Sequence, residues 1–236
     1  MNSTATHYQR ANQALTAILE TVPAERWTSP SPCEGWVTRD VVRHMIETQR
    51  EFLTEREIEL VPRQARFALA SVVGRSARQG GGAKAMPSIV ESTTTPPGAR
   101  RAARSGRTLL DGALGPEPDV DADPAEAWVS HAQRVEAILS DDAVVAIAYD
   151  GHFGPTTVGA TLEQFYIWDM VVHRWDIARS VGADDAVSDA EIDRLEAGAD
   201  SFGEALYMDG VCRPGVEAPT GADRKARLLA RLGRRA

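Results

Sequence analysis

A chain of 236 residues, 43% of them hydrophobic, can bury a sizeable core, which argues against disorder throughout. The formal net charge of −8 argues against a general nucleic-acid binder. No apolar run approaches the ~20 residues that a membrane helix needs, and the first ten residues lack a signal-peptide core. The two cysteines, Cys33 and Cys212, form no CxxC pair and favour a reducing compartment, with a single disulfide as the alternative. We therefore expect a cytoplasmic protein without membrane or nucleic-acid partners.

Two amphipathic helices are predicted near the N-terminus, joined by a proline-bearing loop. Apolar residues at alternating spacings of three and four predict a first helix over about residues 7–22. Prolines and a glycine in residues 28–36 predict a loop. Thr38 is a good helix cap, and a second helix is expected to follow to about residue 56. On this second helix, His44 falls on the inward-facing stripe.

Residues 61–118 differ in character and are interpreted as a basic Gly/Ala/Arg-rich insertion, largely irregular. Between positions 61 and 107 there are nine basic residues and a single acidic one, Glu91. Runs rich in Gly, Thr and Pro at 80–82 and 92–98 oppose regular structure. The functional interpretation is a basic lid or nucleic-acid-binding insertion. The simpler one, which we favour, is a mobile insertion between two helices of a bundle.

The rest of the chain is predicted to be mainly helical. A helix is expected over about 124–139, followed by a small β-hairpin near 144–158. The next helix after the hairpin should run from a cap at residue 157 to Gly182. A capping-box pattern at residues 188–191 predicts a further helix, and a short basic helix is expected at 222–231.

Two potential metal ligands, Asp169 and His173, lie four residues apart in a run that is otherwise apolar and aromatic. Residues at i and i+4 share one face of a helix, and here that face should be buried. A buried carboxylate is costly unless it is paired, hydrogen-bonded or metal-bound. With His44 from another helix, these residues form a sound ligand set for a divalent metal such as Zn²⁺, with one coordination position open. His131 is the substitute ligand if His44 fails.

The structural alternative is that these histidines simply pack in the core. Asp176, one turn after His173, is a candidate to orient an imidazole. Three tryptophans are candidate pocket walls, although core burial is their default role: Trp36, Trp168 and Trp175. Arg174 and Arg179 are expected to be solvated, and His7 and His152 to be exposed.

Three motifs together resemble the DinB-like superfamily: SPCEGW-xx-RD-xxx-H (31–44), FGPTTV (153–158) and DMVVHRWDIAR (169–179). Within it, the chain is similar to the metal-binding domain of mycothiol-dependent maleylpyruvate isomerases, which are common in actinobacteria. The resemblance covers about residues 4–56 and 121–232. It implies an all-α fold, a DinB-like four-helix bundle with a small β-hairpin and a C-terminal extension, built from residues 1–60 and 119–236.

The resemblance also implies a metal triad of His44, Asp169 and His173, in which the isomerases have Glu where this chain has Asp169. It implies a zinc ion that activates a low-molecular-weight thiol such as mycothiol for attack on an electrophilic substrate, in a transfer or isomerisation. No side chain is assigned as catalytic, because the reactive group would be a water or thiol on the metal. The alternative is a non-catalytic metal-binding or dimerisation module, and a homodimer is compatible with either.

Overall fold

The computed structural model describes residues 2–58, 118–208 and 211–235. Apart from its last residue, the insertion predicted at 61–118 lies outside the described residues. The predicted bundle segments on either side of it are described almost completely.

The first helix, α1, spans Ser3–Leu19 and begins earlier than the apolar spacing predicts. Its start is fixed by Asn2, whose side-chain oxygen accepts a hydrogen bond from the backbone N–H of Ala5 at 2.8 Å. This cap lies in a polar stretch, where apolar periodicity gives no signal. A 3₁₀ turn, Ala24–Thr28, follows α1.

The second helix, α2, spans Thr38–Thr54 and carries His44. The cap position is Val37, so Thr38 is the first helical residue and not the predicted cap. The Thr38 hydroxyl does not cap the helix but donates to the carbonyl oxygen of Ser29 at 3.2 Å. Asp40 instead accepts from the backbone N–H of Val37 at 3.0 Å. These two hydrogen bonds join the loop before α2 to the first turn of the helix that carries His44.

A third helix and a hairpin follow the insertion. Helix α3 spans Pro124–Leu139, as predicted, and is capped by Asp123. A short helix, α4 (Asp142–Val145), occupies the start of the segment predicted as extended. The predicted hairpin then forms from β1 (Ala148–Gly151) and β2 (Gly154–Thr157), which pair antiparallel.

The helical stretch that bears Asp169 and His173 has three parts. It begins with α5 (Val158–Thr161), passes through a π-helical turn (Leu162–Tyr166) and continues as α6 (Ile167–Val181). The predicted cap is confirmed, because the Thr157 hydroxyl accepts from a backbone N–H of the first turn. Gly182 ends α6 in the left-handed conformation, at φ 74°, which glycine adopts without steric cost. Sequence periodicity did not predict the π turn, a feature often found at functional sites.

The C-terminal elements pack outside the bundle. Helix α7 spans Asp189–Phe202 and begins with the predicted capping box of Ser188 and Glu191. A 3₁₀ turn, Gly203–Tyr207, follows it, and α8 spans Arg224–Arg231. Helix α7 contacts α6, and α8 contacts α7.

Within the part of the chain that the structure describes, four helices form the bundle, which confirms the predicted all-α fold with one small hairpin. Helices α1 and α2 each pack against both α3 and α6, so α1 and α2 stand at opposite corners. Across the core between them, the Tyr8 hydroxyl donates to Oε1 of Gln49 at 2.8 Å. Helix α6 is buried almost all round, so polar side chains on it have little access to water. Within the described ranges, no helix is long and apolar enough to cross a membrane.

Candidate metal centre

The bundle brings together the three side chains that the sequence singled out. His44 projects from α2 and Asp169 and His173 from α6, and their side chains are only 9%, 4% and 0% exposed. Nε2 of His44 lies 3.9 Å from Oδ2 of Asp169, and Nε2 of His173 lies 3.2 Å from Oδ1 of Asp169. One potential ligand atom from each residue lies within 4.8 Å of the others. We call His44, Asp169 and His173 the open triad.

No described residue forms a hydrogen bond with the converging atoms of the open triad. Nε2 of His44, Oδ1 of Asp169 and Nε2 of His173 are buried and have no hydrogen-bond partner among the described residues. Each such group costs about 1–3 kcal/mol when it is left unpaired. Two donors bound to one zinc ion at about 2.0–2.1 Å in tetrahedral geometry lie roughly 3.3 Å apart, close to the separations here. Two imidazole nitrogens and a carboxylate therefore fit a zinc-like ion in both chemistry and spacing.

The electrostatics of the open triad also suit a cation. Burial lowers the pKa of His44 to about 4, although the Asp169 carboxylate acts in the opposite direction. His44 is therefore neutral near pH 7, which is the form that binds metals. Burial alone would raise the pKa of Asp169, but the two neighbouring imidazoles outweigh it and hold that pKa below its usual value. The carboxylate is thus ionised and supplies negative charge.

His173 is oriented from behind by Asp176. Its Nδ1 lies 2.8 Å from Oδ2 of Asp176, and both side chains are fully buried. Burial would lower the pKa of His173, but the carboxylates of Asp169 and Asp176 outweigh it and raise that pKa. With Nδ1–H donating to Asp176, Nε2 faces the open triad, an arrangement typical of metal-binding histidines. This is the orienting contact that the sequence suggested for Asp176.

A second group capable of binding metal shares His173 and includes Cys33 and Asp176. This group already contains a cation that sequence reasoning missed, the buried guanidinium of Arg234. Its Nη2 lies 2.8 Å from Oδ2 of Asp176 and 4.0 Å from Sγ of Cys33. Because a positive charge is already in place there, the open triad is the better position for a metal ion.

Both cysteines are free and buried, so the alternative of a disulfide is not realised. The thiol of Cys33 donates to Oδ2 of Asp176 at 3.4 Å. Burial raises the pKa of Cys212 to about 11. At neutral pH, Cys212 is therefore a thiol and a poor nucleophile.

The three tryptophans occupy different positions. The ring of Trp36 lies 4.9 Å from that of His44 and 6.5 Å from that of His173, measured between centroids. Trp168 packs against α7, where its indole N–H donates to the carbonyl oxygen of Leu195 at 3.1 Å. Trp175 is buried on α6. Of the three, Trp36 has the ring contacts expected of a wall beside the triad, and Trp168 serves helix packing.

The remaining histidines lie outside the triad. His131, the substitute ligand, is buried and lies 3.3 Å from Oε1 of Gln49. His152 is exposed as expected. His7 is only partly exposed, and it lies 2.7 Å from a carboxylate oxygen of Glu163.

The expectation that Arg174 is solvated is wrong, whereas Arg179 is exposed as expected. Arg174 is 1% exposed, and its Nη1 and Nη2 lie 2.8 and 2.9 Å from the two carboxylate oxygens of Glu191. Its Nε donates to the carbonyl oxygen of Asp185 at 3.0 Å. It faces α7, away from the helix face that carries His173.

Fold and site together define a helical-bundle protein with a buried group of two histidines and one carboxylate. The chain belongs to the family described as the mycothiol maleylpyruvate isomerase N-terminal domain, whose model matches residues 8–178. This family is DinB-like, mycothiol-related and metal-binding. The match runs across the insertion and stops before α7. Neither a curated protein nor a solved structure matches the chain.

Proposed function

We propose that this protein binds one divalent metal ion, zinc, through His44, Asp169 and His173, and uses it to activate a low-molecular-weight thiol of the mycothiol type. The thiol would attack an electrophilic small molecule in a transfer or isomerisation reaction. The observation that carries the proposal is the convergence of three buried ligand atoms that lack hydrogen-bond partners among the described residues. Membership of a mycothiol-related family supports the choice of thiol.

The chain's own residues have distinct tasks in this proposal. His44 is neutral and would offer Nε2 without first losing a proton. Asp169 would neutralise part of the metal's charge, and Asp176 would keep Nε2 of His173 directed at the ion. Three protein ligands leave a coordination position for the thiol. A bound zinc ion supplies one thing that the protein lacks, a lowering of the thiol's pKa so that the thiolate is present at neutral pH.

Cys33 and Cys212 are not needed as nucleophiles. Cys33 already donates its S–H to Asp176, and the raised pKa of Cys212 keeps it protonated. Trp36, beside His44, would present an apolar surface to the substrate or the thiol.

One observation favours a second candidate, a non-catalytic metal-binding or dimerisation module. The side chains of the open triad are at most 9% exposed, which is expected of a closed structural site. The two functions differ in whether an external thiol reaches the metal.

The experiment is metal analysis of the purified protein, followed by titration of the cobalt-substituted protein with a panel of small thiols. We expect about one metal ion per chain and, with the right thiol, a sulfur-to-cobalt charge-transfer absorption. His44→Ala and His173→Ala should each lose most bound metal. The matched controls His7→Ala and His152→Ala should lose none, because neither side chain lies in the triad.

Two outcomes would count against the proposed function. Equal metal content in all four variants would show that the inward histidines are ordinary core residues and would reject both. Metal binding with no spectral response to any thiol would favour the non-catalytic module.

A further inference from the structure

Arg234 is an unusual residue for its position, a buried arginine near the end of the chain. It is 5% exposed. Its guanidinium makes a bidentate contact with Asp176, in which Nε lies 3.1 Å from Oδ1 and Nη2 lies 2.8 Å from Oδ2. Its remaining nitrogen, Nη1, donates to the carbonyl oxygen of Leu232 at 2.9 Å. A bidentate contact of this kind fixes the plane of the carboxylate as well as its position.

The carboxylate that Arg234 holds is the one that orients a candidate metal ligand. Oδ2 of Asp176 receives the Nη2 contact from Arg234 and also lies 2.8 Å from Nδ1 of His173. Burial would raise the pKa of Asp176, but Arg234 outweighs it and holds that pKa below its usual value. An unbroken line of contacts therefore runs from the guanidinium through the carboxylate to the imidazole whose Nε2 faces the open triad.

The local sequence places the arginine by means of a specific helix ending. At the end of α8, the N–H of Gly233 donates to Ala230 O at 3.0 Å and the N–H of Arg234 donates to Leu229 O at 2.8 Å. These are the two bonds of a Schellman motif, with Gly233 in the left-handed conformation at φ 79°. The motif turns the chain back on α8, which brings the Arg234 side chain into the protein.

The turn has little room for any other residue at Gly233. A Cβ added there would lie 3.0 Å from Cβ of Arg213 and 3.2 Å from the carbonyl oxygens of Arg213 and Pro214. Arg234 also lies beyond residues 8–178, the part that the family model matches. The contact therefore joins a segment outside the matched domain to the site within it.

We infer that Arg234 is a positioning residue for metal binding: it holds Asp176 so that His173 presents Nε2 to the ion in the open triad. Its fixed positive charge also keeps a metal ion out of the group formed by Cys33, His173 and Asp176. The inference rests on the proposed metal site and adds the C-terminal segment to it.

The test measures zinc affinity by competition with a chelator and records the cobalt spectrum of each variant. Arg234→Met should weaken zinc binding by about 10–100-fold, the usual effect of losing a partner that orients a metal-binding histidine. The cobalt ligand-field bands should shift as well. Arg234→Lys keeps the charge but loses the bidentate geometry. Its zinc affinity should therefore lie between that of the parent and that of Arg234→Met.

Arg231→Met is the matched control, because Arg231 lies on the same segment but pairs with Asp200 at the surface, 37% exposed. It should bind zinc as the parent does. Thermal unfolding of the metal-free proteins separates a loss of fold from a loss of ligand orientation. If Arg234→Met does not fold, Arg234→Lys decides the question, with about tenfold weaker binding expected.

Three results would overturn the inference. Parental affinity and an unchanged cobalt spectrum in Arg234→Met would show that the arginine serves the fold alone, and so would parental affinity in Arg234→Lys when the Met variant does not fold. A parent protein that binds no zinc would reject the proposed function itself, and the inference with it.

Discussion

Two consecutive residues of α6, His173 and Arg174, are both almost completely buried, but their surroundings differ. All three nitrogens of the Arg174 guanidinium have partners, two on Glu191 and one on the backbone of Asp185. We call Arg174 and Glu191 the closed pair. Nε2 of His173 has no hydrogen-bond partner within the described ranges, and neither do the nearest atoms of His44 and Asp169.

The difference shows that burial of a charged or polar residue does not by itself indicate a site. In the closed pair, hydrogen bonds and an ion pair offset the cost of burial, and the contact joins α6 to α7. In the open triad the imidazoles and the carboxylate offset only part of that cost, and their converging atoms have no hydrogen-bond partner within the described ranges, so these atoms are the ones available to a bound ion. The unsatisfied atoms, more than the buried charge, mark the candidate site.

The largest expected effect is at the centre of the open triad. Asp169→Ala should weaken zinc binding by more than about a hundredfold, because it leaves the cation with two neutral imidazoles in a poorly polarisable interior. Asp169→Glu should keep most of the binding, since it restores the carboxylate and adds one methylene at a cost of ~1–3 kcal/mol. Chelator competition measures both variants. If Asp169→Ala bound zinc like the parent, the carboxylate would not be a ligand.

The closed pair should show the opposite behaviour. Arg174→Met leaves Glu191 and a backbone carbonyl without their partner, and should lower the free energy of unfolding by about 2–3 kcal/mol. The corresponding fall in melting temperature is about 5–10 °C for a chain of this size. Zinc affinity, measured at a temperature where the variant is folded, should stay at the parental value.

Arg224→Met is the matched control for this loss of stability. Arg224 forms ion pairs with Glu196 and Asp193 at the surface, where its side chain is 44% exposed. Such exposed pairs contribute little to stability, because water and salt screen them. A larger loss of stability at Arg224 than at Arg174 would contradict the comparison.

Local patterns allowed the sequence to predict most of the fold and the members of the triad. The spacing of Asp169 and His173 depends only on helix geometry, and the capping box at Ser188 depends on residues three apart. His44 was predicted as a candidate ligand because its place on the apolar stripe of its helix can also be read from the neighbouring residues. Each of these signals is contained within one or two helical turns.

The missed features depend on contacts between distant segments. Arg234 reaches Asp176 across 58 positions, and Arg174 pairs with Glu191 beyond a turn whose course the sequence does not specify. Arg174 was expected to be solvated, because the sequence alone does not reveal a partner on another helix. The π turn at Leu162–Tyr166 was missed because a single turn of different hydrogen-bond register leaves little trace in the apolar spacing of a helix.

Acid should weaken the closed pair. Burial would raise the pKa of Glu191, but hydrogen bonds from Arg174 and from the backbone N–H of Ser188 outweigh it and lower that pKa. A carboxylate with a lowered folded-state pKa stabilises the fold above its unfolded-state value of about 4.3, and this contribution is lost as pH falls through the folded-state pKa. The stability difference between the parent and Arg174→Met should therefore shrink from pH 6 to pH 3, measured by urea unfolding. A difference that stayed constant over this range would show that the ionised carboxylate of Glu191 contributes nothing.

The smallest effect is expected from removal of the predicted insertion. Deleting residues 61–115 and joining α2 to α3 through a short flexible linker should leave both the open triad and the closed pair intact. The residues that form them all lie outside the deleted segment, and loop-closure entropy changes by only about 0.6 kcal/mol for each doubling of loop length. Zinc affinity should remain within about threefold of the parent, and circular dichroism should still show a helical protein. Loss of zinc binding with the fold retained would mean that the insertion holds His44 in register or supplies a ligand; loss of the fold would mean that part of the insertion belongs to the bundle.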